Sequence, residues 1–426
     1  MVIVLIVFLI LLMVGLPVGF AIGISGATYF LQHPEFPITT IVQLPISQTQ
    51  SITLLAVPLF VFAGCLMNAS GITDKLIELS MLLVGHMRGG MAQVSVVLSA
   101  LMGGISGSSN ADAAMEARIL GPEMNRQGYP KGYTGAVIGY TSLITCTIPP
   151  GVGMILYGTT GEVSIGRLFA AGMIAGLIMM LLLMAVVAIT SHIRGFKPAR
   201  EKRASLKEIL ENLKESIWAI IFPVLLLVGI RFGIFTPSEV GAFACMYALF
   251  VGFFVYKKLN WKTFLETMKQ SMIDVGGIMF MISMSGIFGY GIPFDRVPQR
   301  ITEAITNFTD NRFVVMTLVV VVLLIFGCFM EGSVVILLTT PILLPVVTGF
   351  GFDKVMFGII VSTVVTTGIL TPPVGVALYT VCGILDIPMS DFMKESLPFL
   401  ITILLEVILL IAFPQMIMWA PNLMYG

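Results

Sequence analysis

Ile144-Thr-Cys-Thr-Ile-Pro-Pro-Gly-Val-Gly153 and Thr366-Thr-Gly-Ile-Leu-Thr-Pro-Pro-Val-Gly375 each cut through a long apolar run. A Pro-Pro pair removes two backbone donors and disfavours helical geometry in the residue before it. Neither run is therefore expected to be one continuous helix. In a bilayer, carbonyls stripped of their donors must find protein, water or a cation. Freed carbonyls beside hydroxyls form a hard-oxygen nest suited to sodium.

The bilayer itself follows from composition. Of the 426 residues, 57% are hydrophobic and 11% charged, and the mean hydropathy is +1.01. A soluble chain of this size has no means of hiding so much apolar surface. Apolar elements lie near residues 1–31, 51–70, 92–111, 133–158, 166–191, 217–233, 236–256, 270–292, 313–330, 332–350, 355–380 and 396–420. The predicted fold class is all-α: a polytopic transmembrane protein of ten to twelve such elements, some of them re-entrant. Met1 to Leu31 carries no charge and reads as a retained first span, since a signal peptide needs a basic start.

The two breaks belong to a longer repeat. At one constant offset Pro122 meets Pro345, Gly128 meets Gly351, Lys131 meets Lys354, Gly135 meets Gly358, and Pro149-Pro150 meets Pro372-Pro373. Gly104 likewise meets Gly327. Residues 1–191 form a first repeat, with its broken helix at 145–153. Residues 217–426 form a second, with its break at 368–375. Between them, 192–216 holds Arg194, Lys197, Arg200, Lys202, Arg203, Lys207 and Lys214, which place it in the cytoplasm. Interleaved glutamates predict a surface helix there. Repeated halves joined this way, inverted in the membrane, are a common plan of secondary transporters.

Upstream of each break lies a second irregular element: Gly103-Gly-Ile-Ser-Gly-Ser-Ser-Asn-Ala-Asp112, and Phe326-Gly-Cys-Phe-Met-Glu-Gly-Ser333. Both read as tips of re-entrant hairpins. A tip facing a broken helix makes one ion site per repeat. Substrate then sits between the tips, beside Ser108, where half-helix N-termini attract carboxylate. Glu331 is a carboxylate in an apolar neighbourhood and hence a substrate-cavity or proton-carrying candidate. Asp274 lies near the start of its run and reads as interfacial. Arg296 and Arg300 follow a span and are candidate carboxylate forks.

The histidines are isolated and the five cysteines show no CxxC pair, so the cysteines read as buried inert thiols and neither zinc nor haem is expected. The zero net charge argues against nucleic acid as a partner. The chain has neither an HExxH motif nor a Walker motif, so an intramembrane hydrolase or an ATPase is not expected. No organic cofactor is called for, and a purely structural scaffold has no use for two unwound midplane helices.

At the Gly-Ser-Ser-Asn tip (107–110), both Pro-Pro breaks and the Gly-Cys-Phe-Met-Glu stretch (327–331), the chain resembles the large membrane subunit of tripartite ATP-independent periplasmic (TRAP) transporters, within the ion transporter superfamily. The resemblance runs over essentially the whole chain. It implies an elevator-type fold, a small four-helix membrane subunit and a periplasmic substrate-binding protein as partners, and sodium as coupling ion in a bacterial inner membrane. It also implies a first sodium site at Ser106, Asn110, Thr145 and Ile148, and a second at Gly327, Gly368, Leu370 and Thr371. Position 331 departs from the family's usual Asp. The run Asp295-Arg-Val-Pro-Gln299 is similar to sialic-acid members, which favours sialic acid as cargo. With nothing before Met1, the small subunit is expected as a separate chain. The alternative is a stand-alone ion-coupled dicarboxylate carrier or antiporter.

Overall fold

The computed structural model describes residues 1–426, and all regular structure in it is helical. The chain opens with α1 (Val2–Met13), α2 (Val18–Gln32), α3 (Thr39–Thr49), α4 (Ala56–Ala69) and α5 (Ile72–Val84). The expected single first span is thus two helices. Gly15 takes φ +85° and Pro17 caps α2, so the chain turns between them instead of continuing.

The first hairpin follows as α6 (Gly90–Ser106) and α7 (Ser109–Arg126). Next come α8 (Lys131–Thr141), α9 (Leu143–Thr147) and α10 (Val152–Thr160), with the helix interrupted at Ile148–Gly151 and bent by 45°. Then α11 (Ile165–Arg194) runs to the charged connector.

That connector is not a separate surface helix. It is irregular over 195–205, and α12 (Leu206–Arg231) then runs on into an apolar span. A reciprocal cap starts α12: Ser205 N–H donates to Glu208 Oε2 at 2.8 Å and Glu208 N–H to Ser205 Oγ at 3.2 Å. The charges beyond it lie on the helix's projecting turns, where Lys75 of α5 pairs with Glu215 at 2.6 Å.

The second half continues with α13 (Pro237–Phe250), α14 (Trp261–Phe294) and α15 (Val297–Phe308). Its hairpin is α16 (Arg312–Phe329) and α17 (Gly332–Gly349), and its broken helix is α18 (Lys354–Gly368) and α19 (Val376–Leu385). It closes with α20 (Met389–Ala412) and α21 (Gln415–Tyr425). Eight helices are long and apolar enough to span a membrane, or up to nine if the bent pair is one span.

The helices sort into two groups, a frame and a core, which also pack on each other through α5 and α4 on α6 and α14 on α17. In the frame, α14 lies against α2, α3 and α4, while α13 packs on α4 and α12 on α5. In the core, α8 packs on α20, α7 on α19, α10 on α17, α11 on α21 and α16 on α18. Each sequence half contributes to both. The chain crosses between frame and core at 85–89, at 195–205, and around α15, which packs on both α14 and α17 and leads through 309–311 into α16. The first two crossings are stitched together, because Gly85 O accepts the amides of Ala199 and Arg200 at 2.9 and 3.0 Å.

Contacts within the core give the orientation of its two halves. Arg194, at the connector end of α11, forks onto Glu395 near the start of α20 at 3.1 and 2.6 Å. The start of α8 also abuts α20 there, where Gly132 meets Asp391. The second broken helix starts on the other side, where Tyr157 of α10 donates to Lys354 O at 2.7 Å. The first hairpin and break therefore enter from the connector side and the second pair from the opposite side. The halves are inverted.

Candidate functional site

Proline chemistry sets the local geometry at both breaks. The donors that would serve Thr145 O and Cys146 O belong to Pro149 and Pro150, which have no N–H. No donor reaches the carbonyls of Thr145, Cys146 or Ile148. At the second break Thr371 N–H serves Gly368 O at 2.9 Å, and Ile369 O receives Ala377 and Leu378. The carbonyls of Gly327, Leu370 and Thr371 remain without a donor. Protein groups thus satisfy part of each break and leave a cluster of bare oxygens.

The hairpin tips meet the breaks in a cavity of about 220 Å³. Of the expected residues, Ser106, Ser108, Asn110 and Glu331 line it. Thr145 and Ile148 lie behind it, buried, with Ile148 against Gly103 of the hairpin. Gly327 and Gly368 sit backbone to backbone: a Cβ on Gly368 would fall 2.5 Å from Gly327 Cα. Leu370 is fully buried at the same break, and Thr371 Oγ1 donates to Thr367 O at 3.2 Å.

The helix ends at this cavity are all of one kind. Ser109, Val152, Gly332 and Val376 begin α7, α10, α17 and α19, and all four border it. The amides of Asn110 and Gly332 have no acceptor. Four N-termini supply positive partial charge without a single Lys, Arg or His in the lining.

Arg296 and Arg300 do not line the cavity. Both are exposed around the tight turn from α14 into α15, where Arg296 takes φ +50°. That turn carries them past the end of the spanning helix, and their neighbour Asp295 accepts from Tyr29 Oη at 3.0 Å. The local run that favoured sialic acid is therefore remote from the cavity. Asp274 moves the other way. Helix α14 starts 13 residues earlier, at Trp261, which sets Asp274 roughly 20 Å along it and on the cavity wall. Cys65, Cys146 and Cys328 are only half-buried, the first two at the cavity, so the expected burial holds for Cys245 and Cys382.

The site has a further element that sequence reasoning missed. Behind the first tip, Asp112 Oδ2 lies 2.7 Å from Thr145 Oγ1. One turn on, Glu116 accepts from Ser99 at 2.7 Å and from Ser95, while Ser95 and Thr141 are 2.8 Å apart. All six are buried, joining α6, α7, α8 and α9. Two acids at i and i+4 in α7 were the available signal, masked by polar neighbours such as Arg118 and Glu123.

Comparison with known proteins agrees with this architecture. The large permease SiaM of a Vibrio cholerae sialic acid TRAP transporter is 33% identical over 97% of this chain and 96% of its own. The sialic acid permease SiaT of Haemophilus influenzae is 33% identical over 99% of this chain and 68% of its own longer one. The C4-dicarboxylate large permease DctM of Pseudomonas aeruginosa is 32% identical over 94% of each. Among solved structures, the YdaH transporter of Alcanivorax borkumensis superposes with TM-score 0.66 over 89% of this chain and 90% of its own, at 14% identity, which speaks to fold alone. Residues 5–416 match the family model described as tripartite ATP-independent periplasmic transporter, DctM component, and it is to that family of multi-pass inner-membrane permeases that the chain belongs.

Proposed function

We propose that this permease drives uptake of an organic acid with a sodium gradient, by sliding the core against the frame. The acid arrives from a periplasmic binding protein, and a small four-helix membrane subunit completes the assembly. One observation carries the reading: two inverted hairpin tips and two broken helices converge on a single cavity that is positive by backbone and rimmed by bare carbonyls. Carboxylate seats on helix N-termini, and sodium is held by unwound backbone.

The donor set fits sodium. Asn110 Oδ1 is buried without a partner at the first tip, and the carbonyls of Thr145 and Ile148 lie at the adjoining break. In the second site the carbonyls of Gly327, Leu370 and Thr371 offer ligands, while Gly368 O is already shared with Thr371 N–H. Sialic acid is the favoured cargo. Support for it comes from the names of the relatives SiaM and SiaT and not from the 295–299 run.

Reconstitution tests this directly. Proteoliposomes holding both membrane subunits should accumulate labelled N-acetylneuraminate only with an inward sodium gradient and the binding protein present. Equal uptake without sodium would sink the coupling. Uptake without the binding protein would move the chain to the stand-alone carriers.

A further inference from the structure

The charge pattern of the cavity discriminates between kinds of acid, a selectivity that rests on the organic-acid uptake proposed for the same cavity. Two carboxylates line it, Glu331 at the second hairpin tip and Asp274 on frame helix α14. Both are exposed, and the lining holds no basic side chain to neutralise either. Glu331 Oε1 accepts from the Ser333 hydroxyl at 2.9 Å, which leaves its second oxygen free, and Asp274 Oδ1 accepts from Gln270 Nε2 at 2.9 Å, while its Oδ2 receives only a long contact from the Cys65 thiol at 4.0 Å. A third acceptor stands nearby. Ser362 Oγ is on the wall, the residue is only 3% exposed, and the hydroxyl has no partner.

The cavity therefore offers an anion only helix N-termini, and offers donors several acceptors. A carboxylate is stabilised at the N-termini of α7 and α17, where the amides of Asn110 and Gly332 are unpaired. The rest of the bound molecule meets carboxylates. Hydroxyl or amide N–H groups pair with them well, since hydrogen bonds to charged acceptors are the stronger kind. A second carboxylate would instead face like charge in a site partly shielded from water, where repulsion is least screened.

We infer that the cavity takes a monocarboxylate whose other polar groups are hydrogen-bond donors, and rejects C4-dicarboxylates, with Asp274 acting as the selector on the frame side. The selection works by repulsion of the wrong ligand as much as by attraction of the right one. It separates two acid classes that permeases of similar identity to this chain are named for.

The test is direct binding to the two-subunit membrane complex in lipid nanodiscs with saturating sodium chloride, measured calorimetrically. Leaving out the binding protein removes its own selectivity. The probes are N-acetylneuraminate, D-gluconate, succinate and fumarate. The hydroxylated monocarboxylates should bind at least about tenfold more tightly than either dicarboxylate, and Asp274→Asn should shrink that ratio to roughly threefold or less by admitting the dicarboxylates. Asp274→Ser serves if the Asn variant does not assemble. Succinate binding as well as gluconate, or a ratio unmoved by either substitution, overturns the inference and leaves organic-acid uptake standing. If none of the four acids binds, both readings fall.

Discussion

Hairpin and break in the first half enclose a buried polar cluster; at the matching positions the second half has four apolar side chains, two of them exposed, with one threonine and one glycine. At the repeat's offset, Ser95, Ser99, Asp112, Glu116, Thr141 and Thr145 correspond to Leu318, Val322, Val335, Thr339, Val364 and Gly368. The backbone landmarks nevertheless coincide, since α6 and α16 end, and α7 and α17 begin, at matching residues. The architecture thus depends on where glycine and proline sit. What holds tip to break is free to differ. In the first copy it is a network of side-chain hydrogen bonds, in the second it is backbone alone: Gly327 against Gly368, and Cys328 O accepting the amides of Val374 and Gly375 at 3.1 and 3.2 Å.

The contrast breaks first at Gly368. In Gly368→Ala the new methyl collides with the Gly327 backbone, and overpacking of this kind costs about 1–3 kcal/mol. Uptake should be abolished and the apparent melting temperature lowered. Near-normal transport would show that the two chains can part there. The next effect lies in the polar cluster. Glu116→Ala strands the Ser99 hydroxyl, leaves Ser95 only Thr141 as a partner, and should cost roughly 1–3 kcal/mol, the penalty of buried unpaired groups. Its counterpart Thr339 bonds only the carbonyl of Val335, so Thr339→Ala should cost about 1 kcal/mol or less. Equal loss of thermal stability in the two variants would erase the distinction.

A smaller effect sharpens the comparison at the tips. Asn110→Ala should raise the sodium needed for half-maximal uptake about tenfold, equivalent to ~1.4 kcal/mol, whereas Ser333→Ala should move it by about twofold or less. Matching shifts would mean that the second site also uses a side-chain oxygen from its tip. The smallest effect is expected outside both copies. Arg296→Ala should leave substrate affinity in uptake assays within about twofold, as for other surface changes away from a site. A large rise in the substrate requirement would bring the α14–α15 turn back into the transport path.

These elements differ in how openly the sequence displays them. The breaks and tips are legible because proline and glycine act through their own backbone chemistry, whatever surrounds them. Asp274 is easily misjudged because Lys262, Glu266 and Lys269 hide the first turns of α14 from any hydropathy window. The arginines at 296 and 300 mislead for the opposite reason: the local pattern carries no trace of the left-handed turn that takes them away. The split of α1 from α2 follows from Gly15 and Pro17, yet an uncharged run conceals a bend as readily as it announces a span. Glu116 is illegible in one dimension because its partners come from α6 and α8, brought together only by folding.

The three crossings between frame and core act as leashes of unequal length. The shortest, 309–311, has three residues and extends to about 10 Å at most. The two on the connector side are knotted to each other through Gly85 and yield little independently. In the sliding proposed for the core, any longer stroke would have to come from α15 swinging as a strut; only Pro298 of it is buried, and it packs on α17 of the core as well as on α14 of the frame. If the core slides as proposed, stiffening the strut would shorten that stroke while leaving the cavity itself untouched.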